Sequence, residues 1–293
     1  MYEVMSTTAQ KLRLSLEGII ERLVSLIHEV PVIYRDDSDS GIVFIAPNFY
    51  WQERTAEQTS IQTAIKKDYI SFSETVRLIF VSSPNDVISK IDTIDKALLQ
   101  WIEFSLNWSV KDDADSNERA LREQASEFFK ILDILDEHKE KNIILIPDTN
   151  ALLISPDPVS YRKLASASSF TFLLMPTVLS EIDQLKISHR NEDVRNKARK
   201  IIAMIKGWRK QGSLPSGVTV DKSIKIRALS IEPNMTKTLS WLDKENPDDR
   251  IVASVLEIQS QYPASRVVLV TDDINLQNKA ETAMIEYLDI DDS

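Results

Sequence analysis

The aliphatic run that ends at Asp148 is the feature that most constrains how this chain can fold. Residues 143–146 read Ile-Ile-Leu-Ile, and Pro147 and Asp148 follow directly. A short apolar run ended by a turn signal predicts a strand buried on both faces, as at the centre of a parallel sheet. Pro147 cannot donate a ladder hydrogen bond, so we expect the strand to end there. Asp148 would then lie just past the carboxyl end of a central strand, where open α/β sheets bind their ligands.

The segment after residue 141 alternates between strand-like and helix-like patterns. Strands are predicted at residues 143–146, 170–174, 224–229, 267–270 and 284–288. Helices are predicted between them, near residues 160–165, 178–188, 193–209, 248–261 and 276–283. This alternation is typical of βαβ units, and it predicts an α/β three-layer sandwich with a central parallel sheet.

The first half of the chain has a different pattern, which is mostly helical. Apolar residues recur at helical spacing over residues 8–29, 85–104 and 118–138, and a further helix is expected over residues 73–81. Short β-like runs lie at residues 31–34 and 42–45, and residues 48–51 form an aromatic cluster that favours core packing over base stacking. A charged run at residues 137–141 then separates the two halves. We therefore predict a helical domain of unknown function at residues 1–140 and an α/β domain at residues 141–293.

The composition excludes several classes of site. The 293 residues include no cysteine, so disulfides and thiolate metal sites are impossible, and a cytoplasmic location is expected. No 18-residue apolar span is present, so no membrane association is expected. The net charge of −10 argues against indiscriminate coating of nucleic acid but is compatible with a local basic face.

Three further acidic segments occupy positions that match that of Asp148. Glu181 shares a helix face with Val178 and Leu185, in a helix for which Thr177 is the expected N-cap. A second helix is expected to be capped by Asn246, with Pro247 in first position and Asp248 and Asp249 in the first turn. The apolar run 267–270 ends in Asp272 and Asp273. Any one of these acids could be an ordinary helix cap, as could Asp148 or Asn150 before residues 151–154; together they predict a carboxylate cluster at one sheet edge.

As a set, the four acidic segments resemble those of PIN-domain ribonucleases, in the same order, over about residues 142–290. The matching segments are residues 148–150, 180–181, 249–253 and 271–280. The resemblance implies a PIN-like fold, bound divalent metal ions and endonucleolytic cleavage of RNA. By position it implies that the catalytic, metal-binding acids are Asp148, Glu181, Asp249 and Asp273. The accessory positions are Asn150, Asp248 and Asp272.

The chemistry of these residues agrees with that implication. A cluster of carboxylate oxygens suits a hard cation such as Mg²⁺ or Mn²⁺, and like charges held so close together favour a bound metal. A basic segment after Glu181 could guide an RNA backbone towards the acids. Its candidate RNA-binding residues are Lys186, Arg190, Arg195, Lys197, Arg199 and Lys200. The alternative is a solvated helix face opposite an inward stripe of Ile201, Ile202 and Ile205.

The leading hypothesis is a metal-dependent endoribonuclease with RNA as its substrate. The first alternative is a catalytically silent PIN-like module that binds RNA or protein. A phosphotransferase of the haloacid dehalogenase class also places an aspartate after its first strand, but that class shows Asp-x-Asp where this chain has Asp148, Thr149 and Asn150. The chain could also form homo-oligomers, and residues 1–140 could bind a protein partner.

Overall fold

The computed structural model describes residues 8–34, 49–105, 109–135, 143–263 and 265–290. The chain forms two compact units, one of residues Leu12–Ile134 and one of Met1–Lys11 with Leu135–Ser293. Within the described ranges, no helix is long and apolar enough to cross a membrane. The strand expected at residues 42–45 and the charged run at residues 137–141 lie outside those ranges.

The first half of the chain is mostly helical, as predicted. Its helices are α1 (Thr8–Glu29), α2 (Ala56–Ile79), α3 (Asn85–Ile102) and α4 (Ala114–Asp133), and its strands β1 (Val32–Tyr34) and β2 (Phe49–Trp51) pair antiparallel. In the aromatic cluster, Trp51 packs edge-on against Trp101 and Phe104, so its side chain serves core packing.

Two helices of this half have other bounds than the sequence predicted. Helix α2 starts well before residue 73, because Thr55 and Gln58 form a reciprocal capping box ahead of it. Helix α4 starts at Ala114 rather than residue 118, because the Asp113 side chain accepts a hydrogen bond from the Ser116 amide.

The second half contains a six-stranded sheet in the order β5-β6-β4-β3-β7-β8. Its strands are β3 (Ile143–Pro147), β4 (Phe170–Leu174), β5 (Val218–Val220), β6 (Ile224–Ala228), β7 (Arg266–Val270) and β8 (Glu286–Leu288). Every neighbouring pair is parallel except β5 and β6. Strand β3 is buried along its whole length between β4 and β7. The predicted α/β fold with a central parallel sheet is therefore confirmed.

Helices connect these strands. They are α5 (Thr149–Ile154), α6 (Tyr161–Ala165), which follows a 3₁₀ turn at Pro158–Ser160, α7 (Pro176–Ser188), α8 (Glu192–Gln211), α9 (Pro247–Gln261) and α10 (Ile274–Thr282). The predicted cap of α7 is wrong: Met175 holds the cap position without a side-chain bond, and Pro176 opens the helix. The Thr177 hydroxyl instead donates to Glu232 Oε2 at 3.0 Å.

Candidate functional site

A pocket of about 670 Å³ opens beyond the carboxyl end of β3. Four carboxylates from four separate segments line it, and they are Asp148, Glu181, Asp248 and Asp273. Asn150 also lines the pocket, whereas Asp249 and Asp272 are not part of its lining. The structure therefore brings together three of the four acids that the sequence placed in the site, and it adds Asp248 where Asp249 was expected.

Asp148 follows the central strand and is almost fully buried, with 4% of its surface exposed. It caps α5, because Oδ1 accepts the Ala151 amide at 2.6 Å, while Oδ2 accepts a hydrogen bond from the Thr271 hydroxyl. Burial raises the pKa of Asp148 to about 6, although these two hydrogen bonds oppose the change, and the charges of Asp272 and Asp273 raise the pKa further. The ionised carboxylate is thus held where a cation would stabilise it.

Glu181 reaches the same pocket from the second turn of α7. It is partly buried, and its Oε2 accepts a hydrogen bond from the hydroxyl of Thr149, the first residue of α5. Threonines therefore donate to two of the site acids, Thr149 to Glu181 and Thr271 to Asp148. Neither threonine was predicted to have a role; the available signal was a threonine directly beside an acid in both segments.

The two acids at the start of α9 have different surroundings. Asn246 caps the helix through the Asp248 amide and Pro247 opens it, as predicted. Asp248 lines the pocket, whereas Asp249 is buried outside the lining, and its Oδ2 accepts the Asp243 amide at 2.8 Å. Asp249 was predicted to be a metal-binding acid; it is buried, but its carboxylate contacts groups outside the pocket lining.

A second group in contact with Asp249 is Lys279 of α10. Its Nζ lies 2.7 Å from Asp249 Oδ1 and 3.2 Å from Asp248 Oδ2. Burial alone would lower the pKa of Lys279, but its ion pairs with Asp249 and Asp248 outweigh burial and raise the pKa. Lys279 therefore stays protonated and supplies positive charge beside the acids, a role that was missed because the partners are 30 residues apart in sequence.

Asp273 combines two roles that the sequence left as alternatives. Its Oδ1 accepts the amides of Asn275 at 2.8 Å and Leu276 at 3.3 Å, so it caps α10, and it also lines the pocket. The Asp273 amide donates to the Thr271 hydroxyl oxygen at 3.0 Å, and that hydroxyl donates to Asp148. A cap can thus present its second oxygen to a site, and the two interpretations do not exclude each other.

The donor set of this pocket fits a hard divalent cation in kind. It offers carboxylate oxygens and the Asn150 amide, which are ligands that Mg²⁺ and Mn²⁺ prefer. The raised pKa of Asp148 points the same way, since a cation would restore the ionised form. As the side chains stand, no three acidic or histidine residues in the described part of the chain are grouped closely enough to hold an ion.

The basic segment contributes one side of the pocket through the turn between α7 and α8. His189, Arg190 and Asn191 line the pocket, and Arg195 holds this turn by donating to the carbonyl oxygens of His189 and Arg190. Lys186 pairs with Asp183 at 2.6 Å.

The remaining basic candidates, Lys197, Arg199 and Lys200, are exposed on α8 and do not line the pocket. The opposite side of α8 is the inward stripe that the sequence predicted: Ile201 is buried, and Ile202 and Ile205 are partly buried. The structure thus brings Arg190 to the acids and leaves these three residues on the outer surface of the helix.

Comparison with known proteins agrees with this fold and pocket. A human protein named Transcriptional protein SWT1 is 27% identical over 152 residues, which make up 51% of this chain. The matched region is 16% of the length of that human protein. The family model described as the PIN domain matches residues 145–291, which is half of the chain and runs from within β3 to beyond β8. PIN domains are generally nucleases and typically use divalent metals. The chain therefore belongs to the PIN domain family.

Proposed function

We propose that this chain is a metal-dependent endoribonuclease that hydrolyses RNA phosphodiester bonds with Mg²⁺ or Mn²⁺. One observation carries the proposal: carboxylates from four separate chain segments line a single pocket past the central strand, together with an arginine. Four acids so placed are costly unless a cation binds them. The family match supports the reaction class.

Each group of residues in and around the pocket has its own role in the proposed reaction. Asp148, Glu181, Asp273 and the Asp248–Asp249 pair hold the metal, with Asn150 and Asp272 as accessory residues. When bound, the metal ion supplies an activated water and stabilises the charge that develops on the phosphate and on the leaving 3′-oxygen. The hydroxyls of Thr271 and Thr149 orient Asp148 and Glu181, so that these carboxylates do not have to be ordered when the substrate binds.

Arg190 is the proposed phosphate contact nearest the chemistry, because it lines the same pocket as the acids. The other proposed RNA contacts are Lys186, Arg195, Lys197, Arg199 and Lys200. Charge reversal of Lys197, Arg199 and Lys200 together tests the outer contacts. RNA binding should weaken and its dependence on salt should flatten, because fewer counterions are released on binding when phosphate contacts are lost. An unchanged salt slope would make this surface an ordinary solvated helix face.

A circular single-stranded RNA tests the reaction, because a circle has no ends and only endonucleolytic cleavage can open it. The full chain should open the circle with Mn²⁺ and should not do so in chelator. Glu181→Gln should lower the rate at least about 100-fold, the scale of removing one stabilising group from a charged transition state. Glu245→Gln is the matched control, since Glu245 is an exposed acid just before α9 that does not line the pocket. Equal rates for the two variants would contradict the proposal.

A catalytically silent module that binds RNA or protein is the second candidate. One observation favours it: the acids of the described residues are not grouped closely enough to hold an ion as they stand. The same experiment separates the two candidates, because a silent module would never open the circular RNA, whether or not it retained that RNA in a filter-binding assay. A protein partner at residues 1–140, a homo-oligomer and a cytoplasmic location stay predictions.

A further inference from the structure

Lys279 is a cation that contacts the acidic site from behind. Its Nζ lies between the carboxylates of Asp249 and Asp248, at 2.7 Å and 3.2 Å. Only 23% of the Lys279 side chain and 8% of the Asp249 side chain are exposed, so water screens the closer pair weakly. The contact joins the start of α9 to α10, the helix that Asp273 caps.

The two acids differ in what else they touch. Successive residues of a helix do not face the same way, and here Asp248 lines the pocket while Asp249 is buried and accepts the Asp243 amide. Lys279 is not part of the pocket lining. Its ammonium group therefore contacts a pocket carboxylate from outside the pocket and is anchored there by Asp249.

This placement has an electrostatic consequence. Without a divalent ion, the ammonium group offsets part of the repulsion among Asp248, Asp148 and Asp273. A divalent ion that took Asp248 as a ligand would lie close to the positive charge of Lys279 and would compete with it for the same carboxylate.

We propose that Lys279 is a positioning residue and a tethered cation of the acidic pocket. It holds the Asp248–Asp249 pair when no divalent ion is bound, and it lowers the affinity for that ion. The inference rests on the proposed function, because it assigns a role within the same site.

The direct test is Mn²⁺ binding to the full chain, monitored through the electron paramagnetic resonance signal of free Mn²⁺. Lys279→Gln removes the charge and keeps a donor for Asp249, so Mn²⁺ should bind roughly three- to tenfold more tightly. Lys279→Arg keeps the charge and should bind Mn²⁺ like the wild type. Lys66→Gln is the matched control, because Lys66 forms a 2.8 Å pair with Glu103 within the helical unit.

Cleavage at saturating Mn²⁺ separates positioning from affinity. Lys279→Gln should cleave more slowly than the wild type even when the metal site is full, because Asp249, the closer partner of Lys279, loses its ion pair and no longer anchors the start of α9. A residue that only stabilised the fold would show the opposite pattern in binding, since its loss would weaken Mn²⁺ binding or leave it unchanged.

The wild type offers a second measurement that needs no folded variant. Lys279 should react with an amine-modifying reagent more slowly in chelator than in Mn²⁺, because the metal withdraws Asp248 from its ammonium group. Mass spectrometry of the modified peptides gives both rates, and Lys66 is the internal reference.

Two results would overturn the inference while the proposed function stands, provided that the wild type binds Mn²⁺ and cleaves RNA. One is a Lys279→Gln protein that binds Mn²⁺ no more tightly than the wild type. The other is a Lys279 reactivity that Mn²⁺ does not change. A wild type that neither binds Mn²⁺ nor cleaves RNA overturns both proposals, and this is visible before any variant is made.

Discussion

Two buried aspartates, one in each half of the chain, have opposite surroundings. Asp95 of α3 is 6% exposed; its Oδ1 accepts the hydroxyls of Tyr69 at 2.9 Å and Ser73 at 2.7 Å, and its Oδ2 accepts the Arg77 guanidinium at 2.8 Å. Asp148 is 4% exposed and accepts one amide and one hydroxyl. Among the residues that the structure describes, no lysine or arginine forms an ion pair with Asp148.

The difference shows that burial alone does not separate structural from functional acids, because the two are equally buried and, among the described residues, only Asp95 has a cationic partner. The charge of a buried carboxylate that is paired with a guanidinium is neutralised within the protein. Such a carboxylate links secondary-structure elements and does not require a bound cation. A buried carboxylate without such a partner has a raised pKa, and its ionised form requires a cation from outside. Asp95 accordingly stabilises the helical unit, whereas Asp148 is one of the acids that we propose as metal ligands.

The largest expected effect is on RNA cleavage. Asp148→Asn keeps the size of the side chain and removes the charge, so cleavage should fall by about 1000-fold, or about 4 kcal/mol in the activation barrier. Asp95→Asn, assayed at a temperature where it is folded, should cleave like the wild type. Comparable losses of cleavage in the two folded variants would break the comparison.

The next effect is on stability. Asp95→Ala leaves the Arg77 guanidinium and two hydroxyls without their acceptor, and it should lower the free energy of unfolding by about 2–4 kcal/mol. Urea unfolding should show the same loss in chelator and in Mn²⁺. A loss that Mn²⁺ restored would mean that Asp95 takes part in metal binding.

The third effect is the pH dependence of stability in chelator. The pKa of Asp148 is raised to about 6 in the folded protein from an ordinary value of 3.8. Its contribution to stability is therefore fully present below pH 4 and is lost as the pH rises through 6. Between pH 4 and pH 7, the wild type should lose about 2 kcal/mol relative to Asp148→Asn.

Metal should reverse the order of stability of the wild type and Asp148→Asn at pH 7, because ligand binding stabilises the folded wild type more than the variant. Thermal melts of both proteins at the two pH values, in chelator and in Mn²⁺, measure both changes. A difference between the proteins that stayed constant with pH would show that Asp148 behaves as an ordinary cap.

The smallest expected effects follow from removing one hydroxyl group that donates to each aspartate, Ser73 for Asp95 and Thr271 for Asp148. Ser73→Ala should cost about 1 kcal/mol of stability and leave RNA cleavage unchanged. Thr271→Val should cost about 1–2 kcal/mol, because the buried hydroxyl both donates to Asp148 and accepts the Asp273 amide. It should also slow cleavage about tenfold, because Asp148 loses its orientation. The same cleavage rate in both variants would show that the hydroxyl donors of Asp95 and Asp148 do not differ in their effect on cleavage.

The sequence predicted most of what depends on neighbouring residues. The aliphatic run of β3, the caps at Asn246 and Asp273 and the alternation of strands with helices are local patterns, and each is present in the structure. Strand β5 was missed because three residues carry little periodicity, and it pairs with β6 through a turn in which Asp221 and Lys222 have positive φ. Asp95 was not singled out, because one acid within an amphipathic helix resembles an ordinary surface residue.

The sequence by itself determined the fold class and pointed to the candidate acids, because hydrophobic periodicity and helix-start signals depend on only a few neighbouring residues. Only the tertiary structure decided which acid of each neighbouring pair reaches the pocket and which cation each buried acid meets. Asp248 and Asp249 are adjacent in the sequence, yet Asp248 lines the pocket, Asp249 is buried outside its lining, and Lys279 from a different helix contacts both. The physical reason is that the charge balance of a buried carboxylate depends on groups distant in sequence, which only packing brings within a few ångströms.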